Sequence, residues 1–127
     1  MNENDIGKII IDTAVYVHKK LGHGLFEHVY EVVLAKQLSK RGLSIQRQVS
    51  VPIHFEGEYF EEGFKIDLLV DDKVIIELKS VESVIEMHKK QLLTYLRLTD
   101  KKLGYILNFG SDLMKDGITR VINGFIV

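Results

Sequence analysis

The chain has 127 residues, 46% of them hydrophobic, with a net charge of -1 and no cysteine. That length suits one domain over 1–127 with its own core, and the apolar content excludes a disordered chain. The absence of cysteine excludes disulfides and thiolate metal sites, and the near-neutral charge argues against a broad basic face for phosphates while leaving room for a local groove.

The polar, acidic start, Met1 to Asp5, lacks the basic and apolar regions of a signal peptide. No apolar run approaches the ~20 residues of a bilayer span. A cytoplasmic protein with no membrane partner is expected. Ile6, Ile9, Ile10, Thr13, Ala14, Val17 and Leu21 recur at helical spacing, with Asp5 as the expected N-cap and a stop near Gly22-His23-Gly24. A second helix is expected over 26–41, with Phe26, Val29, Tyr30, Val33 and Leu38 on one face and Gly42 as the stop.

The pattern then switches to period two. Ile45, Val49, Val51, Ile53 and Phe55 alternate with polar residues, as in a half-buried strand whose apolar face Arg47 interrupts. Pro52 has no amide donor, so this strand belongs at an edge or carries a bulge. Glu56-Gly57 turns into a second strand, Tyr59 to Val70, and Asp71-Asp72-Lys73 into a third, Val74 to Lys79. The third is nearly all apolar, as a strand covered on both faces should be. A third helix over 83–98 leads to a fourth strand, Gly104 to Phe109. Ile118 to Ile122 could form a short strand in the tail. The expected fold class is α/β, with a mixed sheet flanked by helices and strands three and four parallel across the helical crossover.

Three charged residues sit inside apolar strands: Asp67, Glu77 and Lys79. Glu77 and Lys79 share one face of the third strand, and Val74, Ile76 and Leu78 take the other. On the second strand Ile66, Leu68 and Val70 share a face, with Asp67 opposite. A two-residue turn at Asp71-Asp72 would set Asp67 against Ile76. A three-residue loop, Asp71 to Lys73, or a bulge would set it against Glu77, and that register is inferred. Two opposed, partly buried carboxylates repel and are costly to desolvate. A divalent cation removes both problems, and oxygen-only ligands favour Mg²⁺ or Mn²⁺ over Zn²⁺. Lys79 could orient a water or stabilise charge on a phosphoryl group. The plain alternative is a surface Asp-Glu-Lys network at a strand end.

Gly24-Leu25-Phe26-Glu27-His28-Val29-Tyr30 reads Gly-x-x-Glu-x-x-Tyr. With Asp67, Glu77-Leu78-Lys79, Gln91 to Leu96 and Leu107-Asn108-Phe109-Gly110, it resembles the GxxExxY family of the PD-(D/E)XK nuclease superfamily over about residues 5–123. The resemblance implies an α-β-β-β-α-β core. It implies Asp67 and Glu77 as metal-binding acids, the Leu78 carbonyl as a further ligand, Lys79 as catalytic lysine and Glu27 as an extra acid near the metal. It implies Gln91 and Tyr95 as a Gln-x-x-x-Tyr pair. The superfamily's proline is absent, since Ile66 precedes Asp67.

His88, Gln91 and Tyr95 form a polar stripe on the third helix, opposite Ile85, Leu92 and Leu96. That stripe could face the site, with Tyr95, His88, Lys89 and Lys90 as candidate substrate contacts. Glu27 would also suit the helix dipole with no role in chemistry, and Tyr30, Tyr95 and Phe109 also suit a core. Arg47 and Arg120 could contact phosphate or pair with surface acids. The acidic hairpin Glu56 to Glu62 turns a nucleic acid toward the other end of the sheet, where Lys89, Lys90, Lys101 or Lys102 could meet it. A metal-dependent phosphodiesterase acting on DNA or RNA is the leading expectation. A catalytically inactive module binding nucleic acid or protein is the alternative, and hydrolysis of a small phosphoester a third. A homodimer joined through the apolar tail, Val121 to Val127, could clamp a duplex.

Overall fold

The computed structural model describes residues 1–126. The chain runs α1 (Glu3–Leu21), α2 (Glu27–Lys40), β1 (Ile45–Phe55), β2 (Glu58–Val70), β3 (Val74–Lys79), α3 (Glu86–Thr99), β4 (Leu103–Asn108), a 3-10 turn (Met114–Gly117) and β5 (Ile118–Ile122). The five strands form one mixed sheet in the order β1-β2-β3-β4-β5. Only β3 and β4, joined through α3, are parallel. This is the expected α/β class, a mixed sheet flanked by helices. Val127, the last residue of the tail, lies outside the described residues.

The N-cap of α1 is Asn2, not Asp5. Asp5 stands three residues on and completes a reciprocal pair: its N–H donates to Asn2 Oδ1 (2.8 Å), and Asn2 N–H donates to Asp5 Oδ2 (3.1 Å). Both residues are good caps, and the helix gains two satisfied donors by starting earlier. The buried face of α2 also differs from the expected one. Phe26 and Val29 are exposed, whereas Tyr30, Glu31, Leu34, Ala35 and Leu38 are buried. The stripe is rotated toward Leu34 and takes a carboxylate with it. Helix α3 begins at Glu86, later than its periodicity implied, and Ile85 is exposed at its N-cap.

Two apolar clusters sandwich the sheet. On one face Ile6, Ile10, Ala14 and Val17 of α1 and Tyr30, Leu34 and Leu38 of α2 meet Leu68, Val70, Val74, Ile76, Leu78, Tyr105 and Leu107. On the other, Leu92 and Leu96 of α3 meet Ile66, Leu69, Ile75 and Ile106. The approach of α3 is close. A β-carbon on Gly104 of β4 would sit 2.9 Å from Leu92 Cδ1, so any larger residue there would force the Leu92 side chain to shift.

The clusters expose a break in strand alternation. Ile66 belongs to the α3 face, but Leu68 and Val70 belong to the α1–α2 face. The expectation that all three share a face is therefore corrected. The same switch occurs across the ladder, where Ile45 packs toward α1 and α2 but Val49 and Val51 toward α3. Between them stands Gln48 with φ 51, a left-handed conformation that a non-glycine residue seldom adopts within a strand. The β1–β2 ribbon changes face at Gln48 and Asp67. This also explains why Arg47 interrupts the expected apolar stripe. Farther along, the register shifts between Val51 and Ile53, at Pro52 on the edge strand. The missing amide of proline is tolerated in both settings.

Candidate metal centre

The β2–β3 hairpin pairs Val70 with Val74, Leu69 with Ile75 and Leu68 with Ile76. Its loop is the three residues Asp71 to Lys73, and continuing this register sets Asp67 opposite Glu77. Pairing stops at Leu68–Ile76, and beyond that point the Asp67 side chain takes over from the ladder. Its Oδ2 accepts the Leu78 backbone N–H at 2.8 Å. A carboxylate here satisfies a strand amide that would otherwise lack a partner.

Glu77 is in a different state. Its Oε1 is buried with no hydrogen-bond partner among the described residues. Burial first, and then the negative charge of Asp67, push the Glu77 carboxyl up to about 9, although Lys79 pulls the other way. Desolvation dominates because the strand carries Glu77 on the α3 side of the sheet, where the side chain is half-buried and its Oε1 is closed off from water. The acid is thus held neutral near pH 7 when no cation is present.

Tyr95 of α3 borders this pair. Its ring stacks on Phe64 with centroids 3.9 Å apart and planes 5° apart. Its hydroxyl is raised above the ordinary tyrosine range by burial, then by the charges of Glu77 and Asp67. Tyr95 therefore packs, partly buried, against the α3-side cluster, close enough to the site for its hydroxyl to feel the charges of Glu77 and Asp67.

The other sequence-derived candidates fall in different places. Lys79 is half-buried, and its backbone carbonyl accepts Phe109 N–H at 2.8 Å. Gln91 is exposed on α3. His88 caps that helix: its Nδ1 accepts Ile85 N–H at 3.2 Å and its own N–H donates to the Ile85 carbonyl at 3.0 Å. Lys89 and Lys90 are exposed in the early turns of α3, and Lys89 lies 3.8 Å from Glu86. Glu27 is exposed in the first turn of α2. That helix start docks near the end of β3, since Ser80 Oγ donates to the Leu25 carbonyl at 2.7 Å. Lys101 is at the wrong end of the sheet for the site. Its Nζ reaches Asp72 in the β2–β3 loop at 3.2 Å, and Lys102 precedes β4 there. Arg120 reaches Asn4 rather than the site.

Two residues of the motifs have structural work. Tyr30 hydroxyl donates to the Gly22 carbonyl at 2.6 Å and accepts Leu25 N–H at 3.1 Å, and its ring stacks on Phe109. It closes the loop that aims the start of α2. Asn108 is buried, and its amide accepts from Val81 and Gly110 N–H and donates to the Val81 carbonyl. It ties the segment after Lys79 to the end of β4. Sequence spacing alone did not mark Glu31. It is 5% exposed, accepts Arg47 Nη2 at 2.9 Å and Nε at 3.1 Å, and accepts Gln48 Nε2 at 2.6 Å. Its one available signal is an acid four residues after Glu27, on the side of α2 that faces β1.

No group of three or more His, Asp or Glu side chains suited to a metal comes together among the described residues. The donor set is therefore two carboxylates with one unsatisfied buried oxygen. That set suits Mg²⁺ or Mn²⁺, which are held by one or two protein carboxylates and complete their shell with water or substrate oxygen. The residues present fit such an ion. A cavity of about 560 Å³ lies elsewhere, beside the Asp71–Lys73 loop. An open two-carboxylate gap needs no enclosed cavity to take a phosphate backbone.

A family model described as the PD-(D/E)XK nuclease superfamily matches residues 4–121. No curated protein and no solved structure matches the chain. Among the described residues, no helix is long and apolar enough to cross a membrane.

Proposed function

The chain belongs to the PD-(D/E)XK nuclease superfamily, and from that membership we propose that it is a Mg²⁺- or Mn²⁺-dependent phosphodiesterase acting on nucleic acid. The reading extends to the GxxExxY group within the superfamily and to residues 1–127 as one cytoplasmic domain, acting as a homodimer when a duplex must be held. The observation that carries it is the buried, partnerless oxygen of Glu77 beside Asp67. A fold retains an uncompensated acid at a strand end at a cost to its own stability, which is a signature of a site kept for chemistry.

Asp67 and Glu77 would hold the cation, with the Leu78 carbonyl and Glu27 as further candidate donors. A bound divalent ion supplies charge neutralisation and a more acidic water. The remaining roles fall to the chain. Leu78 N–H holds one Asp67 oxygen in place. Lys79 follows Glu77 on the same face of β3 and carries its charge to the place where negative charge grows on a scissile phosphate. Tyr95 shields the carboxylates from one side. Gln91 on α3 is a further catalytic candidate, and Tyr95, His88, Lys89 and Lys90 of the same helix are the candidate substrate contacts.

The test is cleavage of labelled single- and double-stranded DNA and RNA with Mg²⁺ or Mn²⁺, comparing wild type with Lys79→Met. Methionine keeps the aliphatic stem and removes the charge. Wild type should cut at least one substrate, and Lys79→Met should bind it with similar affinity but turn over roughly a hundredfold more slowly. If wild type binds nucleic acid and cuts none of the four, while Lys79→Met binds equally well, the inactive binding module is the correct reading.

A further inference from the structure

Gln48 combines three observations. It is a non-glycine residue at φ 51 inside a strand. It marks the point where the β1–β2 ribbon changes face. Its Nε2 lies 2.6 Å from Glu31 Oε1 and 3.3 Å from Asp67 Oδ1. Both neighbours are carboxylate oxygens, which only accept, so the atom between them is the amide NH₂ with its two donors. Glu31 is in turn fixed by the Arg47 guanidinium and by burial. The chain Arg47–Glu31–Gln48–Asp67 joins the second turn of α2 to the candidate metal centre.

We propose that Gln48 is a positioning residue for the Asp67 carboxylate. Its amide, anchored from behind by Glu31 and Arg47, engages Asp67 Oδ1, while Leu78 N–H engages Oδ2. With one donor on each oxygen the carboxylate cannot rotate freely, and its remaining lone pairs are presented to a cation in one orientation. This inference rests on the reading of Asp67 as a metal ligand. A ligand's outer partners raise metal affinity by fixing its orientation, and their removal usually weakens binding about 10- to 100-fold. The backbone at Gln48 points the same way. In the left-handed region Gly or Asn would be the easier residue. A glutamine there is long enough to span from Glu31 to Asp67, and Gly and Asn are not.

The experiment uses Gln48→Gly and Gln48→Asn, both of which tolerate the backbone conformation and shorten or remove the reach. Two readouts are taken: exchange of the Leu78 amide by NMR in metal-free protein, and the Kd for Mn²⁺ by calorimetry. Thermal midpoints of both variants without metal should stay within about 3 °C of wild type, since relief of the backbone offsets the lost bond. Leu78 amide exchange should rise severalfold as Asp67 loosens, and Mn²⁺ should bind about tenfold or more weakly. Unchanged Leu78 exchange in both variants overturns the proposal, whatever the metal does. Unchanged Mn²⁺ affinity beside faster exchange overturns it as well, because Asp67 would then need no positioning. A wild type that binds no Mn²⁺ sinks the metal reading instead, and the Leu78 amide alone then decides whether Gln48 orients Asp67.

Discussion

The two ends of the β2–β3 hairpin carry nearly the same residues and put them to opposite uses. At the closed end stand Asp71, Asp72 and Lys73. Asp71 Oδ1 accepts Ser44 N–H at 2.7 Å, and Asp72, with its side chain 80% exposed, lies 3.2 Å from Lys101 Nζ. Asp71 and Asp72 both adopt positive φ, at 50 and 55, which short polar side chains tolerate in a turn. At the open end stand Asp67, Glu77 and Lys79. There Glu77 is half-buried, its Oε1 is buried without a partner, and its carboxyl is pushed up to about 9. Acid count does not separate the ends, but solvent and satisfaction do. Carboxylates in water with donors close a turn. At the open end Asp67 still accepts a strand amide, but Glu77 carries an oxygen that neither water nor a donor satisfies, and that oxygen opposes the fold.

This contrast can be broken by exchanging effects between the ends. The largest expected effect is at Asp67. Asp67→Ala should abolish the rise in thermal midpoint that Mn²⁺ gives wild type and reduce cleavage by more than about a hundredfold. It also leaves the Leu78 N–H without its acceptor, a loss of about 1–3 kcal/mol. Melts with and without Mn²⁺ separate the two losses. A retained Mn²⁺ response would show that the open end is no different from the closed one.

Glu77→Gln should come next, and its sign is the informative part. The folded protein without metal holds a Glu77 proton up to about pH 9, against an ordinary value of 4.5. The stability associated with that proton is fully present below pH 4.5 and is lost progressively as pH rises toward 9. Metal-free wild type should therefore weaken between pH 5 and pH 9, on the order of a few kcal/mol. Glu77→Gln should flatten that slope and be the more stable protein at pH 8, while no longer responding to Mn²⁺. On the proposed metal reading a cation would displace this proton, so wild-type affinity for Mn²⁺ should increase with pH through neutrality. Urea melts across pH and calorimetry in two buffers check both statements.

Effects at the closed end should be smaller and independent of metal. Asp71→Ala removes the acceptor for Ser44 N–H and should lower stability by about 1 kcal/mol with no change in the Mn²⁺ shift. Asp72→Asn should be smallest, within about 0.5 kcal/mol, since an exposed ion pair is weak and screened by salt. A metal-dependent phenotype for either variant would contradict the division between the ends.

Much of the fold is legible in the order of residues. The α/β class, the element order, Pro52 at an edge with a register shift, and the three-residue loop of the hairpin all follow from period, turn residues and parity. Those signals are local, and a two-residue repeat depends only on neighbours along the chain. The side-chain pattern of β3 is likewise readable, because its alternation is uninterrupted. The break in alternation at Asp67 and Gln48 is hidden. Ile66, Leu68 and Val70 form a regular apolar pattern, so nothing in β2 says that the ribbon turns over. In β1 the one trace is Arg47, which stands where alternation calls for an apolar residue and by itself reads as a simple interruption.

Residue types and spacing by themselves determined that this chain builds a mixed sheet and brings two acids and a lysine to the end of a central strand. Tertiary structure decided which of its many carboxylates are costly. Glu77 is raised by the helix that covers it, Glu31 is buried by the rotation of α2, and Asp67 is held by an amide from an edge strand 19 residues earlier. Desolvation and hydrogen bonding depend on what surrounds a group in space. A linear sequence specifies that surrounding only through the whole fold.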